Sequence, residues 1–194
     1  MSKGLITALV IIGVILFFIF GFFMWGTGVY DSAIKSQEDV NESFGNVQAA
    51  YQRRADLIPS LVATVKGAAE NERGILTAVT QARAGIVDAK TPEDLDIAGR
   101  KINTAINLAF EAYPQIRSTE NFQELQSQLE GTENRINVAR QRYNETIKIY
   151  NSYVRGFFKR FALSLFGGGE DFNARKGFEA AAGADQAPKV DFSK

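Results

Sequence analysis

Asn121 to Phe161 reads NFQELQSQLEGTENRINVARQRYNETIKIYNSYVRGFFKRF. Its apolar positions fall at Phe122, Leu125, Leu129, Thr132, Ile136, Ala139, Tyr143, Thr146 or Ile147, Tyr150, Val154, Phe157 and Phe161. Steps of three and four keep them on one stripe of an α-helix. A repeat sustained over more than five heptads makes that stripe a left-handed supercoiling seam. Two threonines thin the seam without breaking it. Gly167-Gly168-Gly169 is where the helix is expected to stop, since glycine is a poor helix former.

Upstream, Thr91-Pro92-Glu93-Asp94 is a helix start. Threonine suits the N-cap, proline the first helical position, and the two carboxylates face the positive end of the macrodipole. The helix they open runs through Leu95, Ala98, Ile102, Ala105, Ile106 and Ala109 to Tyr113, where Pro114 ends it, and Ser118 to Asn121 offer caps for the seam helix. Before it, Ile75, Val79, Ala82 and Ile86 share one helical face that stops at Asp88 to Thr91. Earlier still, Val40, Phe44, Val47 and Tyr51 are followed in phase by Ile58, Leu61 or Val62, Val65 and Ala68. Pro59 lies inside that pattern and predicts a kink near Asp56, because it lacks a backbone donor and crowds the carbonyl of Ala55. The polar stretch Gly67 to Gly74 is where the chain can turn. The tail to Lys194 reads as loosely ordered, with Val190 and Phe192 spaced as a short extended strand.

Leu5 to Trp25, LITALVIIGVILFFIFGFFMW, carries no charge. As a helix it spans about 32 Å, matching a hydrocarbon core of ~30 Å. A cleaved signal peptide is the competing reading, but its apolar region is ~7 to 15 residues long and ends in small residues. Here the run ends in Phe22-Phe23-Met24-Trp25, so a retained anchor is expected, with Trp25 and Tyr30 at the interface. Lys3 and the α-amino group outweigh Lys35, the one basic residue between the run and Arg53. That balance favours a cytoplasmic N-terminus in the plasma (inner) membrane, with the domain outside. The expected organisation is a flank at 1–4, a transmembrane helix at 5–25, a helical bundle domain at 30–166 and a tail at 167–194.

Composition narrows the chemistry. The 194 residues hold 22 basic and 22 acidic side chains, and Lys3 is the only charge before Asp31, so the remainder has 21 basic against 22 acidic residues. No electrostatic case for nucleic acid follows. Cysteine and histidine are both absent. That excludes disulfides, thiolate chemistry, Ser-His-Asp machinery and HExxH zinc sites, and no cofactor or metal is expected. Glu70, Glu72, Glu120, Glu124, Glu130 and Glu133 are interleaved with Asn, Gln and Arg as on solvated helix faces. A paired-carboxylate hydrolase would want a cleft that a slender bundle does not offer.

Three motifs remain as candidates. Arg53-Arg54-Ala55-Asp56, beside Pro59, is the densest charge cluster near a backbone irregularity; its plainer reading is an Arg53–Asp56 pair at i, i+3, worth ~0.5 kcal/mol. Arg53 is 23 residues beyond Tyr30, or ~35 Å of helix, too far for lipid headgroups. Arg83, Glu133 and Arg140 fall beside seam positions and are candidates for a buried pair that fixes register. Phe157-Phe158-Lys159-Arg160-Phe161 is aromatic and basic together. It suits a membrane surface, and equally the end of a bundle helix with cations at the negative pole of its dipole.

Long ordered motifs also resemble the LemA family: QRRADLIPSLVATVKGAAENE from Gln52 to Glu72, Ala82-Arg83, Tyr113-Pro114, LQSQLEGTENRINVARQRYNETIKIYN from Leu125 to Asn151, and the closing KVDFS. The resemblance covers essentially the whole chain and departs at Gly156-Phe157-Phe158, where the family more often has proline after the phenylalanine. It implies a prokaryotic membrane protein with no enzymatic activity. The fold it implies is all-α, a transmembrane helix followed by an elongated antiparallel four-helix bundle, which agrees with the periodicity if the chain turns at Gly67 to Gly74. Without that turn the alternative is a long kinked helical hairpin. The expected function is a non-catalytic scaffold or assembly protein, self-associating as a homo-oligomer or binding an envelope protein, with the lipid bilayer held through residues 5–25. The alternative is a lipid-surface or membrane-remodelling protein.

Overall fold

From Leu5 to Thr64 the sequence has isolated glycines and one proline but no turn cluster, and the computed structural model has a single helix there, α1 (Lys3–Thr64). It passes through Pro59 without interruption. The structure describes residues 3–64, 77, 80–112, 120–167 and 172–179, and every regular element among them is helical. After α1 come α2 (80–87), α3 (Pro92–Ala112), α4 (Glu120–Val154) and α5 (Phe157–Phe166). The turn expected at Gly67 to Gly74, the stop at Pro114 and the strand at Val190 and Phe192 lie outside the described residues.

The chain divides into two units, Met1–Val47 with Gln141–Arg175, and Gln48–Arg140 with Lys176–Lys194. In the first, every residue of α1 from Lys3 to Trp25 is exposed. This section is long and apolar enough to cross a membrane. Its one hydroxyl, on Thr7, donates to the Lys3 carbonyl at 3.0 Å and so needs no water. Burial begins just beyond, at Gly26, and takes in Val29, Ala33, Val40 and Val47, as well as Tyr143, Ile147, Tyr150 and Val154 of α4. Phe44 meets Tyr143 at 5.5 Å, Ser43 meets Thr146 at 3.1 Å, and the Tyr153 hydroxyl donates to the Val29 carbonyl at 3.2 Å. Later residues of α4 thus meet earlier residues of α1, and the two segments run antiparallel. Residues 172–179 form neither helix nor strand. Asn151 holds both backbone groups of Arg175 at 2.9 Å, and Phe172 packs edge-on against Tyr30.

The second unit buries Tyr51, Ala55 and Ile58 of α1, Ala82 and Ile86 of α2, Leu95, Ala98, Ile102 and Ala105 of α3, and Leu125, Leu129 and Ile136 of α4. These are the periodic positions of the sequence, joined by Ala55. The seam of α4 is buried at Leu125, Leu129, Thr132, Ile136, Tyr143, Ile147, Tyr150 and Val154, half-buried at Ala139, and open beyond Val154. Phe157 and Phe161 are 81% and 55% exposed, which corrects their assignment to it. The cause is Gly156, whose φ of −60° and ψ of 132° take the chain out of the helix before α5 begins. Residues beyond such a break no longer share the stripe, although the spacing stays in phase.

Thr91 and Asp94 form the predicted start of α3 as a reciprocal cap. The Asp94 amide donates to Thr91 Oγ1 at 3.2 Å, while Asp94 Oδ2 accepts from the amides of Thr91 and Lys90 at 3.0 and 3.1 Å. Those bonds, the one to Thr91 first, hold the Asp94 carboxyl below its usual pKa. Thr91→Ala is expected to lower stability by about 1 kcal/mol in chemical denaturation. A carboxylate depressed by folding stabilises above its unfolded pKa and loses that contribution as pH falls through the folded one. The difference between wild type and Asp94→Asn is therefore expected at neutral pH and to disappear in strong acid; an equal difference at both would refute the cap.

Candidate functional site

The charged residues singled out in the sequence converge in the second unit, paired between helices. Arg54 of α1 forms an ion pair with Glu133 of α4, Asp56 of α1 with Arg83 of α2, and Asp96 of α3 with Arg140 of α4. Asp56 is thus bound to Arg83, and the expected partnership with Arg53 is replaced by one 27 residues away. Glu133, Arg83 and Arg140 each pair between helices with a partner outside the trio, and the Arg83–Asp56 pair is exposed, not buried. Two uncharged residues tie the same helices. Tyr51 donates to Asp96 Oδ1 at 3.4 Å, and the Gln48 amide donates to the carbonyls of Ile86 and Ala89 at 3.2 and 2.9 Å, satisfying acceptors where α2 ends.

A cleft of about 470 Å³ opens among Tyr51, Arg54, Asp96, Arg100, Glu133 and Arg140. Its floor depends on Gly99, where a Cβ would stand 2.5 Å from Tyr51 Cε1. From the tail, Phe178 is buried against the Arg140 guanidinium, 4.5 Å from ring centroid to Cζ. Arg53 lies in a separate cleft of about 370 Å³ with Asp56, Gln128, Thr132 and Arg135. Burial raises the Tyr51 pKa, opposed by Arg140 and reinforced by Asp96. Burial likewise lowers that of Arg54, with Tyr51 opposing. Both shifts come from desolvation, which disfavours any change that adds or keeps charge there. The arrangement therefore places a protonated phenol and paired guanidinium and carboxylate groups together. Among the described residues no cluster of Asp and Glu is placed to hold a metal ion.

The other candidate, Phe157 to Phe161, belongs to the first unit. Its Lys159 ammonium stands 3.8 Å over the Tyr153 ring, and Phe157 and Phe158 meet edge-to-face at 5.3 Å.

The profile of the LemA family matches residues 43–192, which takes in all the paired charges and the seam. The chain belongs to the LemA family. A protein from Metamycoplasma hominis named Protein LemA is 24% identical over 157 residues, spanning 75% of this chain and 72% of that protein. In this LemA-family chain the sequence candidates Arg54, Arg83, Glu133 and Arg140 are joined by Tyr51, Gln48 and Asp96, which the sequence pattern did not single out for polar contacts. Asp96 sits in the first turns of α3, where a carboxylate is explained by the macrodipole alone. The available signal was Gly99 in the middle of a helix, a residue that costs helix stability unless something approaches closely.

Arg54 is the least exposed of the paired arginines, at 13% of its side chain. Removing its carboxylate strands a largely desolvated charge. Glu133→Ala is expected to destabilise by on the order of 2 kcal/mol, against under about 1 kcal/mol for Arg83→Ala, whose pair is two-fifths or more exposed. Denaturant melts showing equal losses would contradict this ranking. A phenol whose pKa folding raises stabilises fully below the unfolded value of about 10 and loses that contribution as pH rises through the folded value. Alkaline melts are expected to show stability falling above about pH 10, with part of that slope absent in Tyr51→Phe.

Proposed function

We propose that this chain is a non-catalytic, single-pass membrane protein that acts by assembly, its helices binding further copies of itself or another protein of the cell envelope. The observation that carries it is the contrast between the two units. Three arginine–carboxylate pairs link the helices of the second, whereas the first presents a helix exposed from Lys3 to Trp25 with five phenylalanines on it. Residues 5–25 serve as a retained anchor in the plasma membrane, and Lys3 with the α-amino group favours a domain outside the cytoplasm. Pairs linking α1 to α2, α1 to α4 and α3 to α4 support an antiparallel four-helix bundle. The lack of cysteine and histidine supports a role without catalysis.

A second reading, a lipid-surface protein, is favoured by the exposed face of α5. Mass measurement of the detergent-extracted full chain decides the leading one. A discrete oligomer, or a stoichiometric envelope protein that co-purifies, is the expected outcome; monomer alone at every concentration overturns it.

A further inference from the structure

Beyond the N-terminal run, Val87, Ile97, Leu108, Val138 and Ile149 are exposed singly along α2, α3 and α4, whereas four exposed large apolar side chains fall on one ten-residue element. α5 exposes Phe157, Phe158, Phe161 and Leu165 at 81, 70, 55 and 59%, and buries Ala162 and Leu163. Lys159 and Arg160 lie among the aromatics, and α5 contains no acidic residue.

Its position is set by contacts at both ends. Tyr153, just before the Gly156 break, bonds the Val29 carbonyl. Phe166, the last residue of α5, packs on Phe22 and Phe23 with ring centroids 5.7 and 5.3 Å away. The Phe166 ring also occupies the space that a side chain at position 26 would need, so Gly26 is what lets it approach. Both contacts fall within residues 22–29 of α1, about 10 Å of helical rise. α5 thus sits level with Trp25, the expected interfacial residue, and its terminal contact reaches no deeper along α1 than Phe22.

We infer that α5 is a second membrane contact, an interfacial helix that seats Phe157, Phe158, Phe161 and Leu165 in the headgroup and upper acyl region of the leaflet through which α1 leaves the bilayer. This rests on the reading of residues 5–25 as a retained anchor. Lipid is the occupant for two reasons. The exposed face of α5 adjoins, through Phe166, the open apolar surface of α1 at Phe22, Phe23 and Trp25, which the anchor reading already places at the bilayer boundary. Basic residues without acidic ones on the same ten-residue helix match phosphate-bearing headgroups. The Lys159 ammonium, resting on the Tyr153 ring, leaves exposed Arg160 to meet those phosphates.

Trp25 is the only tryptophan, so fluorescence can report one position at a time. The full chain is reconstituted in vesicles of phosphatidylcholine and phosphatidylglycerol with brominated acyl chains. Four proteins are compared: wild type, Trp25→Phe, and Trp25→Phe combined with either Phe158→Trp or Val138→Trp. Position 138 is an exposed site on α4 and serves as the aqueous reference. The expected result is blue-shifted emission quenched by bromolipid at positions 25 and 158, severalfold more than at 138, which acrylamide quenches instead. Quenching at 25 with aqueous behaviour at 158 overturns the interfacial helix and leaves the anchor standing. No quenching at 25 overturns both. Shielding of position 158 from bromolipid and acrylamide alike puts protein on that face and also overturns the inference.

Discussion

A backbone whose side chains are all but wholly apolar must satisfy its own hydrogen bonds if it is to lie in an apolar environment, and residues 5–25 do so within one helix. That helix, α1, never stops between Lys3 and Thr64. One uninterrupted ladder carries the chain from an exposed section, uncharged and almost wholly apolar over residues 5–25, to one where Val29, Ala33, Val40 and Val47 are buried. The difference between the two sections lies in side chains alone, since the backbone bonding is the same in both. At the crossover the residues are small: Gly26, Val29 and Ala33 allow α5 and α4 of the first unit to close on α1, and Phe166 uses the gap left at Gly26.

The second unit solves a different problem. An apolar seam holds helices together but specifies their register weakly, because one leucine resembles the next. Arginine–carboxylate pairs are specific, since the planar guanidinium demands a partner at one height. Three of them, with Tyr51 on Asp96 and Gln48 at the end of α2, join the helices of this unit at defined heights. Partial burial adds to the selectivity: a slip that separated Arg54 from Glu133 would leave a desolvated cation unpaired. The same burial raises the Tyr51 pKa and so favours its protonated form.

Periodicity made most of the core legible. Leu125, Leu129, Ile136, Tyr143, Ile147, Tyr150 and Val154 are buried where steps of three and four put them, and the Thr91–Asp94 cap has the bonds its spacing implies. Ion-pair partners were illegible, because local rules see only neighbours. Asp56 has Arg53 at i−3, yet it turns to Arg83, and nothing in a one-dimensional pattern records that approach. The Gly156 break escaped for another reason. Val154 to Phe157 and Phe157 to Phe161 keep the steps of three and four, so the period continues across a change of axis. A glycine amid consecutive large aromatics was the only local mark. The tail contacts of Phe172, Arg175 and Phe178 were equally hidden, since an extended segment pinned by Asn151 needs no periodicity of its own.

α5 shows why the Gly156 break matters. Ten residues with no side-chain N-cap are too few to be stable as an isolated helix in water, where ~12 to 15 residues are marginal even for good sequences. Ala162, Leu163 and the Phe166 contact supply some burial, but three phenylalanines and a leucine stay open. At roughly 2 kcal/mol for each such side chain fully buried, several kcal/mol are available to whatever covers them. A soluble partner would first have to be captured from solution. On the proposed reading of residues 5–25 as an anchor, the bilayer is present at high effective concentration, so even shallow insertion suffices. A straight continuation of α4 would have kept the seam phenylalanines turned toward the helices. The break at Gly156 instead frees them at the level where α1 becomes apolar, which is the level at which aromatic side chains are most at home in a membrane.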